Sequence, residues 1–193
     1  MKKIKLWENQ DTLSDKVALI DDEDYEKVMS ALGPRSKKWY AYRRGATHYA
    51  FAGSCRVTMH RAVMDAPKGM DVDHINGDTL DNRKQNLRLC TRSQNSMNKK
   101  LRSDSQSGYK GVYEVKKPWK QKYVSKKTGE VTYHYWLPKK PFQAYIADPN
   151  TPAKRKRHIK LGYYATKEDA ARAYDKKAKE LHGEFARLNF PDE

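Results

Sequence analysis

Hydrophobic and polar positions along this chain change period several times, and each change marks an element. Lys16-Val17-Ala18-Leu19-Ile20 predicts a short strand. Asp21 to Ala31 predicts a short helix: it is acidic at its start, carries Tyr25, Val28, Met29 and Leu32 at helical spacing, and is stopped by Gly33-Pro34. Trp39 to Arg44 and His48 to Ala52 predict two strands joined through Gly45. Gly53-Ser54 then turns the chain into Arg56-Val57-Thr58-Met59, which leads into His60 to Met64, and Ala66-Pro67-Lys68-Gly69 predicts a loop. Val72-Asp73-His74 ends one strand of a hairpin, Asn76-Gly77-Asp78 is a turn signal, and Leu87-Arg88-Leu89-Cys90 is the return strand. Ser93 is a candidate cap for a helix carrying Asn95 and Asn98.

The polar stretch Leu101 to Ser107 predicts a linker, dividing the chain into 1–101, 102–107 and 108–193. Beyond it, Tyr109 to Tyr113, Phe142 to Ile146 and His158 to Tyr164 predict three strands. Alternation places Ala144, Ile146, Ile159 and Leu161 on a covered face and Gln143, Tyr145, Ala147, His158 and Lys160 on the other. The clearest helix runs from Lys167 to His182. Thr166 caps it, Asp169 sits where a capping box has its acid, and Ala170, Tyr174, Ala178 and Leu181 form one apolar stripe before Gly183. Residues 116–140 lengthen the connection between the first two of these strands. They carry Trp119, Tyr123, Tyr133, Tyr135 and Trp136 among many lysines, with a hairpin turn expected at Thr128-Gly129.

Charge changes the picture most. The 193 residues carry 40 Lys+Arg against 24 Asp+Glu, a net charge of +16, which favours a polyanionic partner, nucleic acid foremost, over a merely solvated basic surface. At 37% hydrophobic residues the core is modest. Cys55 and Cys90 are the only cysteines, and no CxxC occurs. A zinc ribbon and a disulfide framework are therefore not expected, and a reducing, cytoplasmic setting is. No run is apolar enough for a signal peptide or a membrane span.

The chemistry concentrates in Val72-Asp73-His74-Ile75-Asn76-Gly77-Asp78, then Asp81-Asn82-Arg83, Asn86-Leu87-Arg88 and Asn95. Carboxylate and amide oxygens suit a hard divalent cation such as Mg²⁺ or Mn²⁺, and a neutral imidazole can take a proton from water near pH 7. Over roughly Met59 to Lys99 this stretch resembles the HNH nucleases, in the His-Asn-Asn form of phage and bacterial homing endonucleases. The resemblance implies a ββα-metal unit in which Asp73 and Asn95 are metal ligands, His74 is the general base and Asn86, counted with it as catalytic, braces the loop and orients the base. Arg83, Arg88 and Arg92 are candidate phosphate contacts. His60, before Arg61, is expected to be structural or to contact phosphate rather than to be catalytic.

Tyr109-Lys110-Gly111-Val112, Leu161-Gly162-Tyr163-Tyr164, Ala170-Ala171-Arg172-Ala173-Tyr174-Asp175 and Leu188-Asn189-Phe190 resemble the AP2 DNA-binding domain over about Gly108 to Pro191. The fold class expected is therefore α+β: the ββα-metal unit followed by a three-stranded antiparallel sheet packed on one helix. By that resemblance Lys110, Tyr113, Tyr145, His158 and Lys160 face DNA, although the family has Arg and Trp at several of these places. Arg155 and Arg157, in the run Lys154-Arg155-Lys156-Arg157, are further expected phosphate contacts. The combined expectation is a metal-dependent, site-specific endonuclease acting on double-stranded DNA, monomeric and with no protein partner evident. A non-catalytic DNA-binding regulator on the same folds is the alternative, and a structural RNA-binding protein a third reading.

Overall fold

The computed structural model describes residues 1–34, 37–53, 56–116, 118–136, 138–149, 151 and 157–193. Ser54 of the expected turn, Cys55, and Lys154, Arg155 and Lys156 of the basic run lie outside the described residues, as does the side chain of Trp119. The chain is mixed α+β and divides into two compact units, Met1–Lys99 and Lys100–Glu193. No helix among the described residues is long and apolar enough to cross a membrane.

The first unit opens with strands β1 (Lys2–Trp7) and β2 (Leu13–Ile20). They join β3 (Tyr40–Arg44), β4 (Thr47–Ala52) and β5 (Val57–Thr58) in a five-stranded sheet of order β2-β1-β3-β4-β5. The expected strands at 16–20, 39–44 and 48–52 are all present. Strand β1 was not anticipated. Its short Lys-Ile-Lys-Leu alternation becomes a strand because Lys2 to Lys5 pair with Ile20 to Val17, which buries Leu6 completely. The helix expected over 21–31 narrows to α1 (Tyr25–Ser30) after a 3-10 turn at Asp22–Asp24, where Lys84 draws Glu23 and Asp24 toward it. Helix α2 (Met59–Val63) follows β5 directly.

Strands β6 (Asp71–His74) and β7 (Leu87–Cys90) form a separate antiparallel hairpin, followed by α3 (Arg92–Met97). Thr91, not Ser93, caps α3: its hydroxyl accepts from Gln94 N while the Gln94 side chain accepts from Thr91 N, a complete capping box. Val72 and Leu87 of the hairpin enter one core with Leu6, Ile20, Trp39 and Met59, so the hairpin packs on the N-terminal sheet and not on itself.

In the second unit, β8 (Val112–Glu114), β11 (Phe142–Ala147) and β12 (His158–Tyr164) make an antiparallel sheet of order β12-β11-β8. Helix α4 (Lys167–His182) covers one face, with Ala144 and Ile146 buried against Ala170, Tyr174 and Ala178. The Thr166 hydroxyl accepts from Asp169 N as expected, but the Asp169 carboxylate returns to that hydroxyl and not to the cap backbone, because Asp is one methylene shorter than Glu. Gly111 packs so closely that a Cβ there would lie 2.0 Å from Tyr174 Cδ2, and its φ is +73°. Asp175, buried on α4, accepts from the backbone of Asn189 and Phe190 and pins the C-terminal tail. Strands β9 (Trp119–Val124) and β10 (Val131–Trp136) form a two-stranded ribbon of their own.

Candidate active site

The register of the β6–β7 hairpin sets the site. Asp73 lies opposite Arg88 and His74 opposite Leu87. Cross-strand partners on one face are close enough to bond. Arg88 Nε and Nη2 accordingly donate to Asp73 Oδ2 at 2.9 and 2.7 Å. Arg88 is therefore a carboxylate partner here, which its expected role as a phosphate contact did not foresee. Arg83 is held likewise, its Nε and Nη2 both 2.7 Å from the two oxygens of Asp81. That contact holds the Asp81 carboxyl below its usual range. Arg92 is exposed on α3.

Asp71 and Asp73 are two residues apart on one strand and so share a face. Asn95 and Asn98 are three apart on and just after α3 and also share a face. Two rungs result. Asn95 Nδ2 donates to Asp71 Oδ2 at 3.2 Å. Asn98 Nδ2 donates to Asp73 Oδ1 and Oδ2 at 3.1 and 3.0 Å and to the His74 carbonyl at 3.0 Å. The structure thus joins Asp73 with Asn98, whereas the sequence pairs it with Asn95, one helical turn earlier.

His74 is 5% exposed. Its Nε2 stands 3.4 Å from Asn82 Oδ1, a long hydrogen bond. Asn82 Nδ2 donates to the Leu80 carbonyl at 3.0 Å, which leaves Oδ1, an acceptor only, aimed at the imidazole. The neutral tautomer matching that acceptor carries its proton on Nε2 and its lone pair on Nδ1. Burial pushes the His74 imidazole below its ordinary range, opposed by Asn82 and by Asp73, Asp78 and Asp81. The ring meets His60 edge to face at 5.1 Å. Burial, together with the charges of His74 and Arg61, pushes His60 down to about 3. Both imidazoles are neutral near pH 7.

The loop between the strands is closed by Asn86. Its Oδ1 accepts from Asn76 N at 3.0 Å and its Nδ2 donates to the Asp81 carbonyl at 2.8 Å, so it clamps the residues after His74 to those before Asn82. Arg61 braces the preceding loop by donating to the carbonyls of Met70, Ala66 and Pro67. His60 Nε2 pairs with Thr58 Oγ1 at 3.0 Å. A cleft of about 300 Å³ beside the hairpin is lined by Tyr49, His60, Asp71 and Asn95, with Arg44 and Arg61 at its wall. His74 is not among its lining residues.

Sequence reading missed Asn82 as the partner of His74, and it named Asn98 only as a helix residue. The signals were present: an Asn three residues after Asn95 faces the same strand, and an Asp two residues before Asp73 doubles the acceptor row. The donor set suits a hard cation. Asp73 Oδ1 accepts from Asn98, and an amide turned by 180° presents its own oxygen there. No group of three or more His, Cys, Asp or Glu side chains clusters for a metal among the described residues.

On the sheet of the second unit, register places Tyr145 opposite Lys160, Ala147 opposite His158 and Gln143 opposite Tyr113, all on the face away from α4. Tyr113 is 56% exposed, and Tyr145 meets His158 edge to face at 5.3 Å. Arg157, just before β12, is exposed. Lys110 stands apart from this set. It is half-buried, with Arg187 and Asp175 as its charged neighbours, and burial pushes its ammonium down to about 8.

Residues 65–97 match the family model of the HNH endonucleases. The matched segment holds the Asp73–His74 strand, the loop, the return strand and α3, and it points to a nuclease, a hydrolase whose substrate is DNA. No solved structure matches the chain.

Proposed function

We propose that the chain is a metal-dependent, site-specific DNA endonuclease of the homing type, its second unit an AP2-like DNA-binding domain. The observation that carries this reading is one strand end. Asp73 and His74 are consecutive at the end of β6, the carboxylate meets the Asn98 amide at the end of α3, and the imidazole is turned by Asn82 so that Nδ1 is its basic atom. Asp73 would hold a divalent cation together with an α3 amide oxygen, from Asn98 or from Asn95 a turn earlier. When bound, that cation supplies Lewis-acid stabilisation of the phosphoryl oxygen and the leaving 3′ oxygen.

His74 Nδ1 takes a proton from water as its oxygen attacks phosphorus. The bond to the 3′ oxygen breaks and that oxygen takes a proton from a second water, leaving a 5′ phosphate and a 3′ hydroxyl. Asn82 keeps the imidazole in the tautomer that can accept that proton, and Asn86 keeps the loop closed around it. The exposed sheet face with Tyr113, Tyr145, His158 and Lys160 would enter the major groove, where base edges are legible, while Arg157 and the rest of the basic run meet phosphate.

Two observations favour the rival, a DNA-binding regulator without activity: Arg88 occupies Asp73 Oδ2, and His74 is buried. Supercoiled DNA containing the target, incubated with Mg²⁺, Mn²⁺ or EDTA beside His74→Ala, separates the two. Metal-dependent nicking that falls about 10²- to 10⁴-fold in the variant supports the endonuclease and its base. Salt-sensitive binding with no cleavage under any metal leaves the regulator.

A further inference from the structure

The ribbon β9–β10 has no role in the fold described so far. Its strands pair with each other over six positions, from Val131↔Val124 to Trp136↔Trp119. Neither joins the three-stranded sheet, so the ribbon does not extend or close that sheet's edge. All six residues of β10 are exposed. No described residue of the ribbon belongs to a buried core; an isolated two-stranded ribbon is marginal in water, and a run of exposed aromatics on one marks a surface that a partner covers.

Register separates its two faces, because directly opposed residues point the same way. Lys120 opposes Tyr135, Lys122 opposes Tyr133, and Val124 opposes Val131. That face interleaves cations with tyrosines, and the Lys120 ammonium stands 3.8 Å from the Tyr133 ring centroid. Gln121 opposes His134 and Tyr123 opposes Thr132, so the other face carries no lysine at these positions. The turn adds Lys126 and Lys127, held by Ser125 N donating to Glu130 O and Gly129 N to Ser125 O. Residues 116–140 hold eight lysines and one acid, Glu130, so the charge selects a polyanion and opposes a basic or apolar partner.

We propose that this ribbon is a second DNA-contacting element, laid by its Lys120, Lys122, Tyr133 and Tyr135 face along the backbone of duplex DNA. A two-stranded ribbon fits a major groove, the lysines meet phosphates, and tyrosine gives a flat ring with a hydroxyl donor at its tip. The inference rests on the reading of the chain as a DNA-acting enzyme, and it extends the contact beyond the three-stranded sheet.

The test measures binding of the full chain to a mixed-sequence duplex in EDTA, so cleavage plays no part. Each phosphate neutralised contributes about 0.9 to the slope of log K against log salt. Lys120→Gln/Lys122→Gln is expected to lower that slope by about 1.8, so between about 50 and 200 mM salt the variant loses roughly twelvefold less affinity than the parent. Tyr133→Ala/Tyr135→Ala is expected to weaken binding with the slope kept, and Gln121→Ala/Thr132→Ala to change neither. These residues are exposed, so equal melting temperatures show that each variant folds. An unchanged slope in the lysine variant overturns the proposal, as does a loss confined to single-stranded DNA or RNA. Ribbon-dependent duplex binding by a chain that never cuts would overturn the nuclease reading and leave the ribbon standing. Cleavage with an unchanged slope would do the reverse.

Discussion

Replacing Arg88 with Met removes the only cation bonded to Asp73 among the described residues, and the structure sets the size of the effect. The paired side chains are 12% and 6% exposed, so little water screens them. Removing one partner of a buried pair costs roughly 3–5 kcal/mol, most of it the remaining charge left buried. Asn98 still donates to both oxygens of Asp73, which offsets part of that and leaves about 3 kcal/mol. For a domain near one hundred residues each kcal/mol moves Tm by about 4–8 °C, so the transition of the first unit should fall by roughly 12–24 °C. Calorimetry on the full chain reads it. Asp73→Asn/Arg88→Met, which removes both charges, should recover more than half of the loss. Mn²⁺ should raise the melting temperature of Arg88→Met more than that of the parent, because the carboxylate regains a cation, and should not raise that of the double variant. A cost under about 1 kcal/mol for the single variant, or a double variant no better than the single, would refute the view of Asp73 and Arg88 as a buried pair.

Three further outcomes follow from the geometry. Asn98→Ala should raise the Mn²⁺ concentration needed for cleavage about 10- to 100-fold and Asn95→Ala less; metal titrations that rank them the other way would return the ligand role to Asn95. His60 is lowered from 6.5 to about 3 on folding, so the unfolded chain binds its proton first, and stability present above the unfolded value is lost as pH falls through that window. On the order of 2 kcal/mol should disappear between about pH 7 and 5, and His60→Phe should flatten that slope in pH-dependent denaturant melts. Gly111→Ala forces a methyl group 2.0 Å from the Tyr174 ring and 2.7 Å from the Tyr145 carbonyl at a left-handed φ. It should cost about 3 kcal/mol or more, and near-ultraviolet dichroism should show the second unit losing its tertiary signal first.

Local signals were legible wherever the physics is local. Asn76-Gly77-Asp78 marks the turn, Thr166 caps α4, and the alternation in Phe142 to Ala147 sorts buried Ala144 and Ile146 from Tyr145. Partner choice is not local, and there the reading diverged. Arg88 bonds Asp73 because hairpin register puts the two opposite each other, a fact that appears only once Val72 is paired with Leu89. Asn98 reaches Asp73 from the C-cap of α3, a helix that Thr91 and not Ser93 caps at its start. Lys110 matches a family position, yet its ammonium lies near Arg187 and Asp175, and those neighbours come from a tail pinned far along the chain.

The N-terminal sheet explains why a 33-residue motif needs a unit of 99 residues. The matched segment contributes few large apolar side chains, and one hairpin with one short helix cannot bury a core of its own. Val72 and Leu87 instead complete a core whose larger part is Leu6, Ile20, Trp39 and Met59. The same sheet reaches the chemistry by backbone hydrogen bonds: Leu19 N donates to the Leu80 carbonyl and Asn82 N to the Leu19 carbonyl, both at 2.8 Å. Asn82 is thereby fixed on both sides, by its backbone to β2 and by its amide to Leu80, with Oδ1 left for His74. Strand β2 thus acts on the imidazole through one residue. A truncation to residues 65–97 would lose the fold and the orientation of the His74 imidazole together, whereas Asn82→Ala in the intact unit would loosen the imidazole while leaving the core residues in place.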